Sequence, residues 1–244
     1  LSAPVAEFSA SQTEICVGES INFTDASTNT PTSWTWATAG GTPNSSTSQN
    51  PSITYNTAGT YTVALTSTNA AGSDLETKTS YITVSDASVG GTINANAAVC
   101  AGNNGATLTL SGHTGSVIRW ESSTNDWTDT TVIANTTTTQ VYSNLTATTK
   151  YRAVLQSGVC STTESAEVEI TVDPVSVGGT LSTDATVCSG INGATLTLSG
   201  HTGSVIRWES STNDWTNTTV IANTTTTQVY SNLTATTKYR AVLQ

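Results

Sequence analysis

The sequence predicts an all-β chain of three β-sandwich domains in tandem, and three observations lead to this prediction. Short segments of alternating polar and apolar residues recur between turn residues, and no stretch keeps a helical period. Residues 89–156 are repeated at 177–244 with eight substitutions in 68 positions. The period of 88 residues fits one sandwich, since such domains have about 100 residues.

The repeat and two short linkers give the domain boundaries. We predict domains at 1–86, 87–173 and 174–244, the last of which lacks its final strand. Residues 85–88 form the first linker, and Asp173-Pro174, stiffened by proline, forms the second. A strand of about ten residues spans roughly 33 Å, so three sandwiches end to end would form an elongated rod of about 100 Å.

The first domain has period-two segments that place alternate side chains on one face of a sheet. These segments are 20–24, 60–65 and 80–84. Glycine and proline pairs between them predict turns, at Gly40-Gly41, Asn50-Pro51 and Ala58-Gly59.

Several spaced features of the first domain resemble the PKD domain, an immunoglobulin-like (Ig-like) module. They are Pro4, Ala6 and Phe8, then Gly18–Asp25, Trp34 and Trp36, Asn50-Pro51, Tyr55, Gly59–Val63 and Asn69. The usual Gly-Asp-Gly after the aromatic pair is replaced by residues 37–41, and the Gly-Gly-Thr-Pro variant at 40–43 resembles PKD domains of secreted Bacteroidota proteins. The resemblance implies an Ig-like sandwich and implies no particular ligand.

The repeated unit also reads as a series of strands with Trp120 at the centre of one of them. The predicted strands are 107–110, 116–121, 140–145, 149–155 and 167–172. The pair Leu145 and Tyr151 resembles the tyrosine corner of fibronectin-III and Ig-like sandwiches. With the Trp-x-Ser-Ser…Trp-Thr pattern at 120–128, the unit is similar to Ig-like repeats of large Bacteroidota cell-surface adhesins and gliding-associated proteins. That resemblance implies export by the type IX secretion route.

The spacing of the four cysteines matches neither a zinc site nor a redox pair, so we expect disulfides. Disulfides persist in oxidising compartments, which is where we expect the protein. The simplest pairing joins Cys100 to Cys160, one disulfide per repeat. Cys188 repeats Cys100, and its partner would lie outside the chain, four residues after Gln244. The alternative is two buried free thiols. For Cys16 we expect either a buried position on a strand or a partner outside the chain.

Composition excludes two classes of partner. Charged residues make up 10% of the chain and the net charge is −10, with no cluster of Lys and Arg, so we expect no nucleic acid. No apolar run is long enough to predict membrane insertion in this segment. The chain starts without Met, so we expect an internal or processed piece of a longer protein that is secreted to the cell surface.

The sequence offers no catalytic arrangement. His113 and its repeat image His201 stand alone in turns, without the partners that a catalytic triad or a zinc site needs. Asn125, Asp126 and Asp129 form a small acidic loop with too few oxygens for calcium, which we keep as an alternative to a solvated turn. We therefore predict no enzyme activity, no metal and no cofactor.

Trp127 and its repeat image Trp215 are the candidate ligand-binding residues. Exposed aromatic rings stack on sugars and mark binding surfaces, and two copies would add avidity. The alternative is that each ring covers the core at a sheet edge.

From these features we predict a non-catalytic structural or adhesive segment of a large extracellular surface protein or filament. It would act as a stiff spacer with weak carbohydrate or protein contacts, and its repeats would adjoin one another. Accessory substrate-binding modules of a secreted protease or glycoside hydrolase are one alternative. A fibre subunit that self-assembles by strand complementation is the other.

Overall fold

A computed structural model describes residues 2–94, 96–182 and 184–244, which form 24 strands and no helix. The predicted all-β class is confirmed. The structure forms two compact units. The first contains residues 1–97, 106–142 and 149–170, and the second contains residues 98–105, 143–148 and 171–244. The three-domain division at 1–86, 87–173 and 174–244 stays a sequence prediction.

Residues up to Ser85 form a sandwich of two sheets. The strands are β1 Phe8–Ala10, β2 Glu14–Cys16, β3 Ser20–Asp25, β4 Ser33–Ala37, β5 Gly41–Thr42, β6 Ser45–Ser46, β7 Ser52–Tyr55, β8 Gly59–Asn69 and β9 Gly72–Ser85. One sheet has the order β1-β3-β7-β5 and the other β2-β9-β8-β4-β6. β2 is parallel to the end of β9, which places Cys16 opposite Ser85.

The core of this sandwich is built around Trp36. Its ring is fully buried, lies 5.1 Å from Phe8 and 5.6 Å from Phe23 between ring centroids, and donates its indole N–H to Ser48 O at 2.9 Å. Trp34, two residues earlier on β4, is half-buried, packs against the same core and donates its indole N–H to Asp25 Oδ2 at 2.7 Å. Residues two apart on a strand share a face, so both tryptophans lie on the core side of β4.

The first repeat also forms two sheets. Its strands are β10 Thr92–Ile93, β11 Ala97–Cys100, β12 Gly105–Ser111, β13 Ser116–Ser123, β14 Thr131–Ile133, β15 Thr139–Ser143, β16 Thr149–Gln156, β17 Thr163–Glu164 and β18 Val168–Asp173. The sheet orders are β10-β12-β15 and β11-β18-β16-β13-β14, with β17 also paired to β16. Trp120 on β13 is fully buried, and Val168 and Ile170 on β18 point into the same core.

The second repeat has the same framework with fewer strands. They are β19 Thr180–Leu181, β20 Gly193–Ser199, β21 Val205–Ser211, β22 Thr219–Ile221, β23 Thr227–Ser231 and β24 Lys238–Leu243. The sheet orders are β19-β20-β23 and β22-β21-β24. Within the described residues, β24 has no counterpart of β18 beside it, which agrees with the prediction of an incomplete last sandwich.

Candidate functional site

A disulfide joins Cys16, at the end of β2, to Cys160, in the turn between β16 and β17. The two residues are 144 positions apart in sequence and their Cα atoms are 5.4 Å apart. The predicted Cys100–Cys160 disulfide is therefore wrong. Both bonded cysteines belong to the first compact unit.

The turn at 157–160 explains why Cys160 meets Cys16. The N–H of Ser157 donates to Ser88 Oγ at 2.9 Å, and the sulfur of Cys160 lies 3.3 Å from the carbonyl oxygen of Asp86. Gly158 has φ +51°, and a Cβ there would lie 2.1 Å from Ser85 Oγ, so the close approach requires glycine. Because Cys16 pairs with Ser85 across the sheet, this contact places the two sulfurs together.

Cys100 occupies the position in the first repeat that Cys16 occupies in the first sandwich. The N–H of Val17 donates to Ser85 O at 3.0 Å, and the N–H of Ala101 donates to Asp173 O at 2.8 Å. In both cases the acceptor is the last residue of a strand, Ser85 of β9 or Asp173 of β18. Cys100 is thus placed beside Asp173, as an exposed free thiol, and has no bond to Cys160.

A three-residue sequence motif indicates that Cys16 and Cys100 are equivalent. Cys-x-Gly occurs at 16–18, 100–102 and 188–190. Each of the three glycines has a positive φ and donates its N–H to a carbonyl, at 2.7 Å for Gly18, 2.9 Å for Gly102 and 3.0 Å for Gly190. Pairing cysteines within one repeat overlooks this motif, because its first copy lies in the first sandwich. Cys188 is also a free, exposed thiol, and its predicted partner outside the chain stays a prediction.

A charged cluster covers the outer face of β13 and β16 in the first repeat. The Glu121 side chain, only 5% exposed, accepts from Arg119 at 2.7 Å and from Arg152 at 2.8 Å. Arg152 also bonds Glu164 at 2.8 Å. Burial alone would raise the pKa of Glu121, but the hydrogen bonds from the two guanidinium groups outweigh it and lower that pKa.

Trp127 is part of this cluster. It sits in a turn with φ 64°, and its N–H donates to Ser123 Oγ at 2.9 Å. The Arg152 guanidinium lies 4.0 Å from the ring centroid, and the indole N–H donates to Glu167 Oε2 at 2.6 Å. Lys150 bonds Glu167 at 2.9 Å and Asp126 at 2.6 Å. The ring is half-buried and one face is occupied by arginine, so it stabilises the sheet edge, while sugar binding there stays a prediction.

Trp215 has the same turn and the same arginine contact in a more open setting. The Arg240 guanidinium lies 4.2 Å from its ring centroid, and Lys238 bonds Asp214. Among the described residues, nothing corresponds to Glu167 beside it. The ring lines a groove of about 780 Å³ with Leu196, Tyr230 and Tyr239.

The acidic loop beside Trp127 pairs its polar groups with one another and with Lys150 on β16. Asn125 Nδ2 donates to Asp129 Oδ2 at 2.7 Å, the Asp129 N–H donates to Asn125 Oδ1 at 2.9 Å, and Asp126 bonds Lys150. No group of three or more metal-ligating side chains occurs in the part of the chain that the structure describes. Calcium binding at this loop stays an alternative from the sequence alone.

The two turn histidines are half-buried. His113 and His201 each have a buried Nδ1 that finds no hydrogen-bond partner within residues 2–94, 96–182 and 184–244. The residue after each histidine holds the turn. In the first repeat, the N–H of Thr114 donates to Val89 O at 3.0 Å, and the N–H of Val89 donates to Thr114 O at 3.1 Å.

We predict that Glu121→Gln lowers the free energy of unfolding of the first repeat by about 1–2 kcal/mol at neutral pH. The change removes the shared carboxylate of two partly exposed arginines. The folded pKa lies below the ordinary 4.5, so this stabilisation is complete above pH 4.5 and is lost as pH falls through the folded pKa. Calorimetry near neutral pH and below pH 4.5 measures the difference.

The matched control is Glu209→Gln in the second repeat. Glu209 bonds Arg207 at 2.8 Å and Arg240 at 2.7 Å, but the Arg240 side chain is 51% exposed where Arg152 is 21% exposed. Water screens the Glu209–Arg240 ion pair better, so we expect Glu209→Gln to lower the free energy of unfolding less than Glu121→Gln does. An equal loss of unfolding free energy for the two variants, or a Glu121→Gln effect that does not change with pH, would contradict a stabilising role for the ionised Glu121 carboxylate.

Comparisons with known proteins agree with this fold. The I-band fragment I67-I69 from titin has a TM-score of 0.61 at 13% identity, with 96% of this chain and 89% of that chain covered. A three-Ig structure of titin domains I67-I69, an E-to-A mutated variant, has a TM-score of 0.60 at 13% identity, covering 100% of this chain and 89% of that one. These similarities show tandem Ig-like domains.

No curated protein matches the chain in sequence. Among the described residues, no helix is long and apolar enough to cross a membrane. The disulfide together with PKD and Ig-like modules indicates an extracellular protein. Residues 1–84 match the PKD domain. Residues 89–174 and 177–244, well over half of the sequence, match the family described as a domain of unknown function, DUF8696, and the chain belongs to that family.

Proposed function

We propose that the chain is a non-catalytic mechanical spacer in an extracellular cell-surface protein. The observation that carries the proposal is the Cys16–Cys160 disulfide, which bonds the PKD-type sandwich covalently to the first repeat inside one compact unit. Junctions between domains of one chain are by default free to move. A covalent bond across this junction restricts that motion and suits a segment that keeps a fixed spacing.

The non-covalent contacts at the same junction support this role. The N–H of Ser157 in the first repeat donates to Ser88 Oγ in the connecting segment, and Gly158 lies against Ser85. The N–H of Val17 donates to Ser85 O. The segment is therefore held by residues from both sides of the junction, whereas a flexible linker would be free of such contacts.

The buried cores supply resistance to extension. Each repeat places one fully buried tryptophan, Trp120 or Trp208, in its core, and each indole N–H donates to a backbone carbonyl at 2.9 Å. Antiparallel pairing of β8 with β9 and of β13 with β16 adds long ladders of hydrogen bonds. These sandwiches are expected to unfold cooperatively when pulled.

Pulling single molecules between their ends tests the proposal. We expect a discrete extension step for the second repeat while the Cys16–Cys160 disulfide is intact, further steps for the two bonded sandwiches after its reduction, and recovery of each step when the tension is released. Gradual lengthening without steps would contradict a spacer role.

A further inference from the structure

Charged side chains are divided unequally between the two sheets of each repeat. One sheet, made of β10, β12 and β15 in the first repeat and of β19, β20 and β23 in the second, contains no Asp, Glu, Lys, Arg or His on its strands. Of the seven Lys and Arg residues of the chain, all except Lys78 lie on the other sheet of a repeat, on β13, β16, β21 or β24. Each repeat therefore has a neutral sheet and a charged sheet.

The neutral sheet exposes short side chains that carry hydroxyl and methyl groups. Period-two alternation turns Leu108, Leu110 and Tyr142 inward, where they are at most 5% exposed. Their neighbours on β12 and β15 point to solvent and form what we call the threonine face: Thr107, Thr109, Ser111, Thr139, Val141 and Ser143. The second repeat has the same face 88 positions later, and Val141 and its counterpart Val229 are 64% and 63% exposed.

Hydroxyl and methyl groups lie side by side on the threonine face. In the second repeat Thr195 lies opposite Val229, and Thr197 lies opposite Thr227. Side chains directly opposite in an antiparallel pair have Cβ atoms about 4.5–5.5 Å apart, so they form one continuous surface. Threonine hydroxyls donate and accept hydrogen bonds, and the methyl groups of threonine and valine supply dispersion contacts. The face offers both kinds of contact without a fixed charge.

The edge of the neutral sheet is closed to a peptide strand. β15 is the last strand in the order of its sheet, and side chains already donate to its outward carbonyl groups. Asn135 Nδ2 donates to Thr139 O at 2.7 Å, and Gln140 Nε2 donates to Val141 O at 2.6 Å. The second repeat has the equivalent bonds. Because an added strand pairs through such carbonyl groups, a ligand has to bind the face of this sheet and not its edge.

The neutrality of the threonine face selects the kind of ligand. An ionic group would lose water against this face and gain no counter-charge, which costs free energy. This cost disfavours nucleic acids, anionic polysaccharides and ordinary protein surfaces, since about a quarter of the residues of soluble proteins are charged. A neutral polysaccharide avoids the cost, because its surface consists of hydroxyl and C–H groups. Two identical faces in one chain also suit a polymer that presents the same unit many times.

We propose that the threonine faces of the two repeats bind a neutral, extended polysaccharide. Its hydroxyl groups pair with the threonine and serine hydroxyls, and its C–H groups pack on Val141, Val229 and the threonine methyl groups. The ring of Trp127 contacts Arg152 on β16 of the charged sheet, so the threonine face is a separate site from the aromatic candidate.

Affinity electrophoresis of the full chain tests the inference in native gels that contain hydroxyethylcellulose, galactomannan or laminarin, with polygalacturonate as the anionic gel. We expect retardation in at least one neutral gel and none in polygalacturonate. The double variant Val141→Asp, Val229→Asp is expected to weaken the apparent affinity roughly tenfold or more, because the ligand has to strip water from each aspartate.

The matched control is the double variant Val132→Asp, Val220→Asp. These two valines are each 62% exposed and lie on β14 and β22 of the charged sheets, so the control has the same net charge and an equally exposed substitution. Its retardation should equal that of the unchanged chain.

Unchanged mobility of the chain in all three neutral gels overturns the inference, and so does equal retardation in polygalacturonate. Loss of retardation in the control, with retention in the Val141 and Val229 variant, would move the site to the charged sheet and also overturn it. The inference goes beyond the spacer proposal, since polysaccharide binding can fail while the extension steps persist.

Discussion

Pulling the chain by its two ends is expected to leave residues 17–159 unextended for as long as Cys16 and Cys160 stay bonded. The load passes from residue 16 through the disulfide to residue 160, so the intervening polypeptide carries none of it. Reduction with dithiothreitol, or Cys160→Ser, should release this segment. At about 3.6 Å per residue, a separation of 144 residues adds about 500 Å of contour length.

Single-molecule force spectroscopy measures this length directly. Cys100→Ser is the matched control, because Cys100 is a free thiol in the equivalent position of the next domain and should leave the released length unchanged. If the Cys100→Ser variant shows the longer extension without reductant, then Cys100 is the partner of Cys160 in solution and the structure's pairing is contradicted.

The sequence predicts the fold of this chain well because its strands follow local rules. Ile21 and Phe23 alternate with polar neighbours and are buried, and Val168 and Ile170 do the same on the last strand of the first repeat. Period-two alternation depends only on the pleat of the strand and a buried face, so it survives without knowledge of the neighbours. The 88-residue duplication then gives the second copy the same framework.

The disulfide could not be derived in this way, because its partners come from different sandwiches. The pairing depends on how the 157–160 turn meets residues 85–88, and no periodicity encodes such a contact. Trp127 shows the same limit. Its exposure to ligands depends on Arg152 and Glu167, which are 25 and 40 residues away in sequence and meet it only in the folded sheet.

Trp120→Ala is expected to destabilise the first repeat by about 3–5 kcal/mol, the cost of emptying a fully buried tryptophan site. The change also leaves the carbonyl of Thr137 without the indole N–H that it accepts at 2.9 Å. Domains of this size are stable by about 5–15 kcal/mol, so the first repeat would come close to unfolding. Hydrogen exchange followed by mass spectrometry should show faster exchange along β13 and β16.

The repeats provide the control and also the label for this experiment. Residues 104–128 and 192–216 are identical, so the wild-type peptides from the two copies overlap, but the alanine substitution separates them by mass. Trp127→Ala, which removes a half-buried ring with one arginine contact, should accelerate exchange much less than Trp120→Ala. Equal acceleration by the two substitutions would mean that the outer charged cluster, and not the core around Trp120, holds the two sheets of the repeat together.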